Sequence, residues 1–170
     1  VVKYSIIASD SLSGVKTIEY SIDSGKYETY TNPFSVEKAG DHIIKYRAID
    51  NVGNSSAEKT FSIFVDTEKP VVKIIPSGKF YIKENKQYAP KNFQYQIEAS
   101  DTESGVGKII FSIDGGEYIV YESPITITKE GEHTIVAKAI DNVGNISDET
   151  KVSFVSDSTP PAIELKPLGK

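Results

Sequence analysis

The chain has 170 residues, 38% of them hydrophobic, and a net charge of -5 at pH 7, which suits two globular units of ordinary core size. Without cysteine it holds no disulfide framework and no thiol chemistry, and no apolar run reaches membrane-spanning length, so this segment is not expected to insert into a membrane. The acidic balance, with no lysine or arginine cluster to offset it, disfavours a phosphate backbone, so nucleic acid is not expected as a partner.

The sequence occurs twice, at an offset of 91 residues and without a gap. Ser9-Asp10 with Ser13-Gly14-Val15 returns as Ser100-Asp101 with Ser104-Gly105-Val106, and Ala48-Ile49-Asp50-Asn51-Val52-Gly53-Asn54 returns unchanged from Ala139 to Asn145. A fixed period of this kind marks an array of modules. Val1 aligns with Asn92, and residues 158–170 align with 67–79. The expected organisation is a repeat at 1–66 lacking its first strand, a complete repeat at 67–157, and the start of a third at 158–170. With no methionine in the chain, the expectation is an internal piece of a longer array whose signal or anchor lies elsewhere.

In chain order, Ile6 and Ala8, then Ile18 and Tyr20, then Ile44 and Ala48 are the alternating apolar positions of the first copy; Ile97, Ala99, Ile109, Phe111, Ile135 and Ala139 are those of the second. Period-two alternation is the mark of half-buried strands, and no useful length shows helical spacing. Clusters of Gly, Asn, Asp and Pro separate the runs at a spacing of about ten residues, the rhythm of an antiparallel sandwich. In the strand order of immunoglobulin domains, the second copy places A at 71–75, B at 93–99, C at 108–113, C′ or D at 117–121, E at 124–128, F at 133–140 and G at 150–155, and the first copy repeats B to G. The expected fold is all-β, two tandem immunoglobulin-like antiparallel β-sandwiches. Asp114-Gly115-Gly116 suits a tight turn because glycine accepts positive φ, and Asp23-Ser24-Gly25 should form it with slightly different geometry. Residues 76–92 are left open between a short strand, a loop and an extended lead into B.

The strings Ser-Asp-x-x-Ser-Gly-Val, Tyr/Phe-Ser-Ile-Asp-x-Gly-x-Tyr-x-x-Tyr, Gly-x-His-x-Ile and Ala-x-Asp-Asn-Val-Gly-Asn resemble bacterial Ig-like repeats named after a spirochaete outer-membrane surface protein, often labelled "β-barrel" domains. The resemblance covers both copies nearly end to end. It implies a surface-exposed or secreted array, outer-membrane associated, with host extracellular-matrix binding as a possible role, and it brings no catalytic motif.

His42 and His133 hold one repeat position at the start of strand F, where immunoglobulin-like sandwiches place a corner tyrosine. A histidine there is expected to donate from one ring nitrogen and leave the other free. Asp10 with Asp50, and Asp101 with Asp141, fall on neighbouring B-C and F-G loops, but small sandwich loops make a poor cleft for acid/base work. Two readings of these acids compete. Asp66, Glu68, Asp101, Glu103, Asp141 and Asn142 offer the oxygen set a calcium ion needs, while Asp50 and Asp141 suit turn caps with Gly53 and Gly144 in left-handed geometry. Tyr27 and Tyr30, like Tyr118 and Tyr121, are spaced so that one member faces in and one out, which makes the four tyrosines candidates for a binding surface.

The expected function is a non-enzymatic repeat array of a bacterial surface or secreted protein, in adhesion or ligand display toward a protein or glycan. The alternatives are a spacer, or an accessory carbohydrate-binding module of a secreted hydrolase. The tail, Ala162-Ile163-Glu164-Leu165, aligns with strand A of the second copy and is a candidate for strand exchange between molecules.

Overall fold

Alternating sequence becomes a strand where a second backbone is available to pair with it, and the two copies differ in that supply. The computed structural model describes residues 2–166 and 168. It is all β in its described residues and divides into two units, Val1–Thr67 and Glu68–Lys170.

In unit 1, β1 (Val15–Ile22), β2 (Glu28–Thr29), β3 (Gly40–Asp50) and β4 (Lys59–Val65) form one antiparallel sheet in the order β2-β1-β3-β4. These are strands C, C′, F and G. The expected strand B does not form a ladder. Tyr4 and Phe34 exchange backbone bonds of 2.8 and 3.1 Å in an isolated bridge between the B and E segments, and the rest of residues 2–9 belongs to no named strand. Among the described residues this segment is paired on one side only, at Tyr4 with Phe34.

Unit 2 has the full complement: β5 (Val71–Pro76), β6 (Tyr81–Lys83), β7 (Lys86–Pro90), β8 (Gln94–Ser100), β9 (Val106–Ile113), β10 (Ile119–Val120), β11 (Ile125–Thr126), β12 (Gly131–Asp141) and β13 (Thr150–Asp157). They make a six-stranded sheet, β10-β9-β12-β13-β7-β6, and a three-stranded sheet, β11-β8-β5. Residues 76–92, left open by sequence, fold as a hairpin. Glu84 and Asn85 take φ of 51° and 62° at its tip, and β7 pairs in parallel with β13. The chain thus enters as A in the smaller sheet and crosses to the larger one.

Val72, Tyr95, Ile97, Phe111, Ile135, Ala137, Ala139 and Phe154 are buried between the layers of unit 2, with Ala99 and Ile109 packed against them. Tyr95 is fully buried, its ring 4.6 Å from that of Phe154, and its hydroxyl finds no hydrogen-bond partner among the described residues. Burial pushes that phenol up. In unit 1 the inward positions Ile6, Ala8, Ile18, Tyr20 and Ala48 are only half-buried, and Ile44 is the buried apolar side chain among the described residues. The expected two cores are therefore unequal.

The hairpin turn after strand C is the same in both units. Asp23 and Ser24 have φ of 51° and 63°, Asp114 and Gly115 have 52° and 75°, and Gly25 and Gly116 each donate to the carbonyl three residues back at 2.9 Å. The expected difference in geometry is absent, so Ser24 bears a left-handed backbone that Gly115 adopts without cost. Ser24→Gly is accordingly expected to stabilise unit 1 by about 0.5–1 kcal/mol, and Gly115→Ser to destabilise unit 2 by a similar amount, measured by urea denaturation.

Candidate functional site

Asp23 and Asp114 take the first position of that turn because their carboxylates are used twice. Asp114 Oδ1 accepts the Thr134 amide at 2.8 Å, and its Oδ2 lies 2.8 Å from His133 Nδ1, while His133 Nε2 donates to the Lys129 carbonyl at 2.8 Å. Unit 1 repeats this with Asp23, Ile43, His42 and Lys38, at 3.0, 2.6 and 2.6 Å. The expectation of one free ring nitrogen is corrected: both are engaged. A carbonyl only accepts, so Nε2 of His42 must donate, and an ionised Asp23 requires Nδ1 to donate as well. The imidazolium satisfies both. The hydrogen bond to Asp23, then that to Lys38, raises the His42 pKa, and the bond from His42 is the main cause that holds Asp23 low. Both histidines are buried and lock the turn to the start of strand F. The constant spacing of Asp and His in the two copies was a signal that could have shown the pair.

The loops carrying the other acids are built by those acids. Asp141 Oδ1 accepts the amides of Val143, Gly144 and Asn145 at 2.9, 2.6 and 2.8 Å, and its Oδ2 accepts Asn145 Nδ2 at 2.7 Å. Gly144 has φ of 101°, which the turn requires. Burial pushes the Asp141 carboxyl up, but the bonds from Asn145, Val143 and Gly144 outweigh it and the net shift is down. Asp50 serves the same turn in unit 1, accepting Val52 and Asn54 amides at 3.0 and 2.8 Å. Asp101 Oδ1 accepts the amides of Glu103 and Gly105 at 3.2 and 2.7 Å, and Asp10 Oδ1 accepts those of Leu12 and Gly14 at 3.1 and 2.7 Å. Asn142 Nδ2 donates to the Ser104 carbonyl at 2.7 Å, as Asn51 Nδ2 does to Ser13 at 2.7 Å, so the asparagine staples the F-G loop to the B-C loop. The packing inside the units does not explain Val52 and Val143, which are exposed in both loops.

Within unit 2, carboxylate oxygens of Asp101 and Asp141 come within 4.8 Å of each other. Of the other residues in the expected calcium set, Glu103 and Asn142 lie in these loops, Glu68 opens unit 2, and Asp66 is buried near the end of unit 1. Because both loops are shaped by backbone bonds to Asp101 and Asp141, Asp141→Ala is expected to lower the melting temperature of unit 2 equally in chelator and in calcium. A rise in wild-type melting temperature on adding millimolar calcium to the chelated protein would instead make the acids cation ligands.

The tyrosine pairs divide as their spacing requires. Tyr30 lies edge-on to Tyr20 with ring centroids 6.3 Å apart, and Tyr121 edge-on to Phe111 at 6.1 Å, so these members pack inward. Tyr27 and Tyr118 lie on the outer face of the C-F-G sheet. Arg47 Cζ sits 4.4 Å above the Tyr27 ring and Lys138 Nζ 4.9 Å above that of Tyr118. Their hydroxyls donate to Glu58 and, at 3.1 Å, to Glu149. An aromatic ring, a cation and a carboxylate therefore recur at one surface position of each unit, with the ring held between charges of both signs.

These strand orders, with a B-E pairing facing a C′-C-F-G sheet, define immunoglobulin-like β-sandwich modules. The chain is similar to a solved structure of Clostridium thermocellum CbhA fibronectin(III)-like modules, at 21% identity and a TM-score of 0.52 over 89% of this chain and 83% of that one. No protein-family profile matches the chain.

Proposed function

We propose that the chain is a non-enzymatic stretch of an Ig-like repeat array, of the kind its strings resemble, on the surface of a bacterium or secreted by it. Its role in this reading is adhesion or ligand display, with the outer face of each C-F-G sheet as the contact surface for a protein or glycan. The observation that carries the proposal is the recurrence of Tyr27-Arg47-Glu58 as Tyr118-Lys138-Glu149 on that face. Tyr118 is 40% exposed, and Ile119 and Val120 beside it are exposed as well, which gives the surface an apolar component. An extracellular setting accords with the similarity to the CbhA modules; outer-membrane association follows only from the resemblance of the repeats.

A spacer is the second reading, and it too has an observation behind it. The most repetitive string, Asp-Asn-Val-Gly-Asn, has Asp, the first Asn, Gly and the last Asn committed to loop construction, leaving little of it for recognition. The test is a binding screen of the 170-residue chain against extracellular-matrix proteins and glycans, with an acidic protein of similar charge as control. For any ligand found, Tyr27→Ala/Tyr118→Ala is expected to weaken binding by about tenfold or more without unfolding either unit. Full binding by the folded double variant would remove the tyrosine face from the proposal, and no binding across the screen would favour the spacer.

A further inference from the structure

The β6–β7 hairpin of unit 2 parts from its sheet near the tip. β7 pairs with β13 only from Tyr88 opposite Val155 onward, so Asn85, Lys86 and Gln87 stand beside Ser153 and Phe154 with no ladder between them. A hollow of about 440 Å³ opens at this parting, closed on its other side by Glu132, Thr134 and Val155. Its volume is that of a site for a small ligand.

The polar groups around the hollow are of two kinds. His133 and Asp114 also border it, but both ring nitrogens and both carboxylate oxygens are engaged in the turn lock, and Lys86 is paired with Glu132. Other groups are free to bind. The side-chain amides of Asn85 and Gln87 hydrogen-bond to no other described residue, and Gln87 is half-buried, so its amide is partly withdrawn from water without a protein partner. The hydroxyls of Thr134 and Ser153 meet at 3.0 Å, which leaves lone pairs on both oxygens and one hydroxyl proton unused. Phe154 and Val155 add an apolar part to the wall. On the outer face, Tyr81 stands opposite Tyr88 with ring centroids 6.3 Å apart, and Tyr88 is the neighbour of Val155, so this aromatic pair borders the hollow. Tyr81 is 69% exposed.

We infer that this hollow binds a neutral saccharide, with the exposed Tyr81 ring as a platform for the apolar face of a sugar. A sugar presents hydroxyls that both donate and accept, beside a surface of C–H groups. The unused amides, the hydroxyl pair and the Glu132 carboxylate match the first, and the tyrosine rings with Val155 match the second. Charge excludes an ionic ligand. An anion entering the hollow would face Glu132, and a cation would face Lys86 with Lys83 directly opposite it on the hairpin. The site shares no residue with the Tyr118-Lys138-Glu149 position and stands independently of it.

The test is an array of gluco-, xylo-, manno- and galacto-oligosaccharides, with uronate-bearing oligosaccharides and short peptides beside them, probed with the 170-residue chain. Retention on neutral sugars is expected. Titrating the best-retained neutral oligosaccharide should shift the NMR amide signals of residues 85–88, 132–134 and 153–155 and leave those of Tyr118 and Lys138 in place. Tyr81→Ala and Gln87→Ala, made singly, are each expected to weaken binding by about tenfold or more at an unchanged unfolding midpoint, and Tyr118→Ala is expected to leave it unchanged. No retention on neutral sugars, or retention only on uronates or peptides, overturns the ligand class. Shifts confined to other residues, or full binding by both folded variants, overturn the site.

Discussion

Phe111→Ala is expected to cost unit 2 about 3–5 kcal/mol, and the substitution at the same repeat position in unit 1, Tyr20→Ala, about 1–3 kcal/mol. Phe111 is 7% exposed, pairs across the ladder with Ala137, and meets Tyr121 edge-on at a site closed by a second sheet, so its removal leaves a cavity the neighbours cannot fill. Tyr20 stacks on Phe34 at 4.3 Å but stays half-buried beside the open edge, so water already reaches part of the space it would vacate. Urea denaturation read through hydrogen exchange, at Ile135 and Ala137 in unit 2 and at Ile44 in unit 1, separates the two effects. Equal losses would mean that the core of unit 1 is as closed as that of unit 2. The wild-type unit 1 is also expected to unfold at the lower denaturant concentration.

Removing a histidine lock is the second large effect. His133→Ala takes away both ring hydrogen bonds, the packing of the ring against Phe154 at a centroid distance of 5.9 Å, and a partner of the turn carboxylate of Asp114. The expected loss is about 2–4 kcal/mol, measured by the same denaturation. In unit 1 the lock is also pH-dependent. The His42 pKa is raised above 6.5 by its bonds to Asp23 and Lys38, so its contribution is complete below pH 6.5 and is lost as pH rises through the higher folded value. The Asp23 pKa is lowered below 3.8, so its contribution is complete above pH 3.8 and is lost as pH falls through the lower folded value. Unit 1 should therefore be most stable between these limits, and its unfolding midpoint should fall from pH 6 toward pH 9 as up to one proton is released. His42→Gln should flatten that fall. A midpoint constant from pH 6 to pH 9 would show that His42 has the same pKa in the folded and unfolded chain and that the lock does not hold its proton.

The alternation of Ile97 with Ala99, of Ile109 with Phe111 and of Ile135 with Ala139 was sufficient to place β8, β9 and β12, because a two-residue period reports a backbone with one buried face whatever its neighbours are. The turn acids were legible for a similar reason: Asp141, Gly144 and Asn145 act on their own loop, within a few residues. Tyr27 and Tyr118 could be assigned opposite orientations to Tyr30 and Tyr121 by spacing alone, but not the cations above them, which come from another strand.

The residues that escaped sequence reasoning depend on partners distant in the chain. Glu84-Asn85 lacks the glycine that usually marks a hairpin tip, and the parallel pairing of β7 with β13 joins segments more than sixty residues apart, so neither the hairpin nor its sheet could be read locally. Residues 4–8 keep the inward positions of β8 at Tyr4, Ile6 and Ala8, with Ile7 where β8 has Glu98, and yet form a single bridge among the described residues, because a strand is completed by the backbone beside it and not by its own sequence. The sequence by itself determined the repeat and the alternating strand segments, which are local or periodic. Only the tertiary structure decided which ring nitrogens are engaged, which core is closed and which edge is open, since each is set by what another segment of chain brings to the same place.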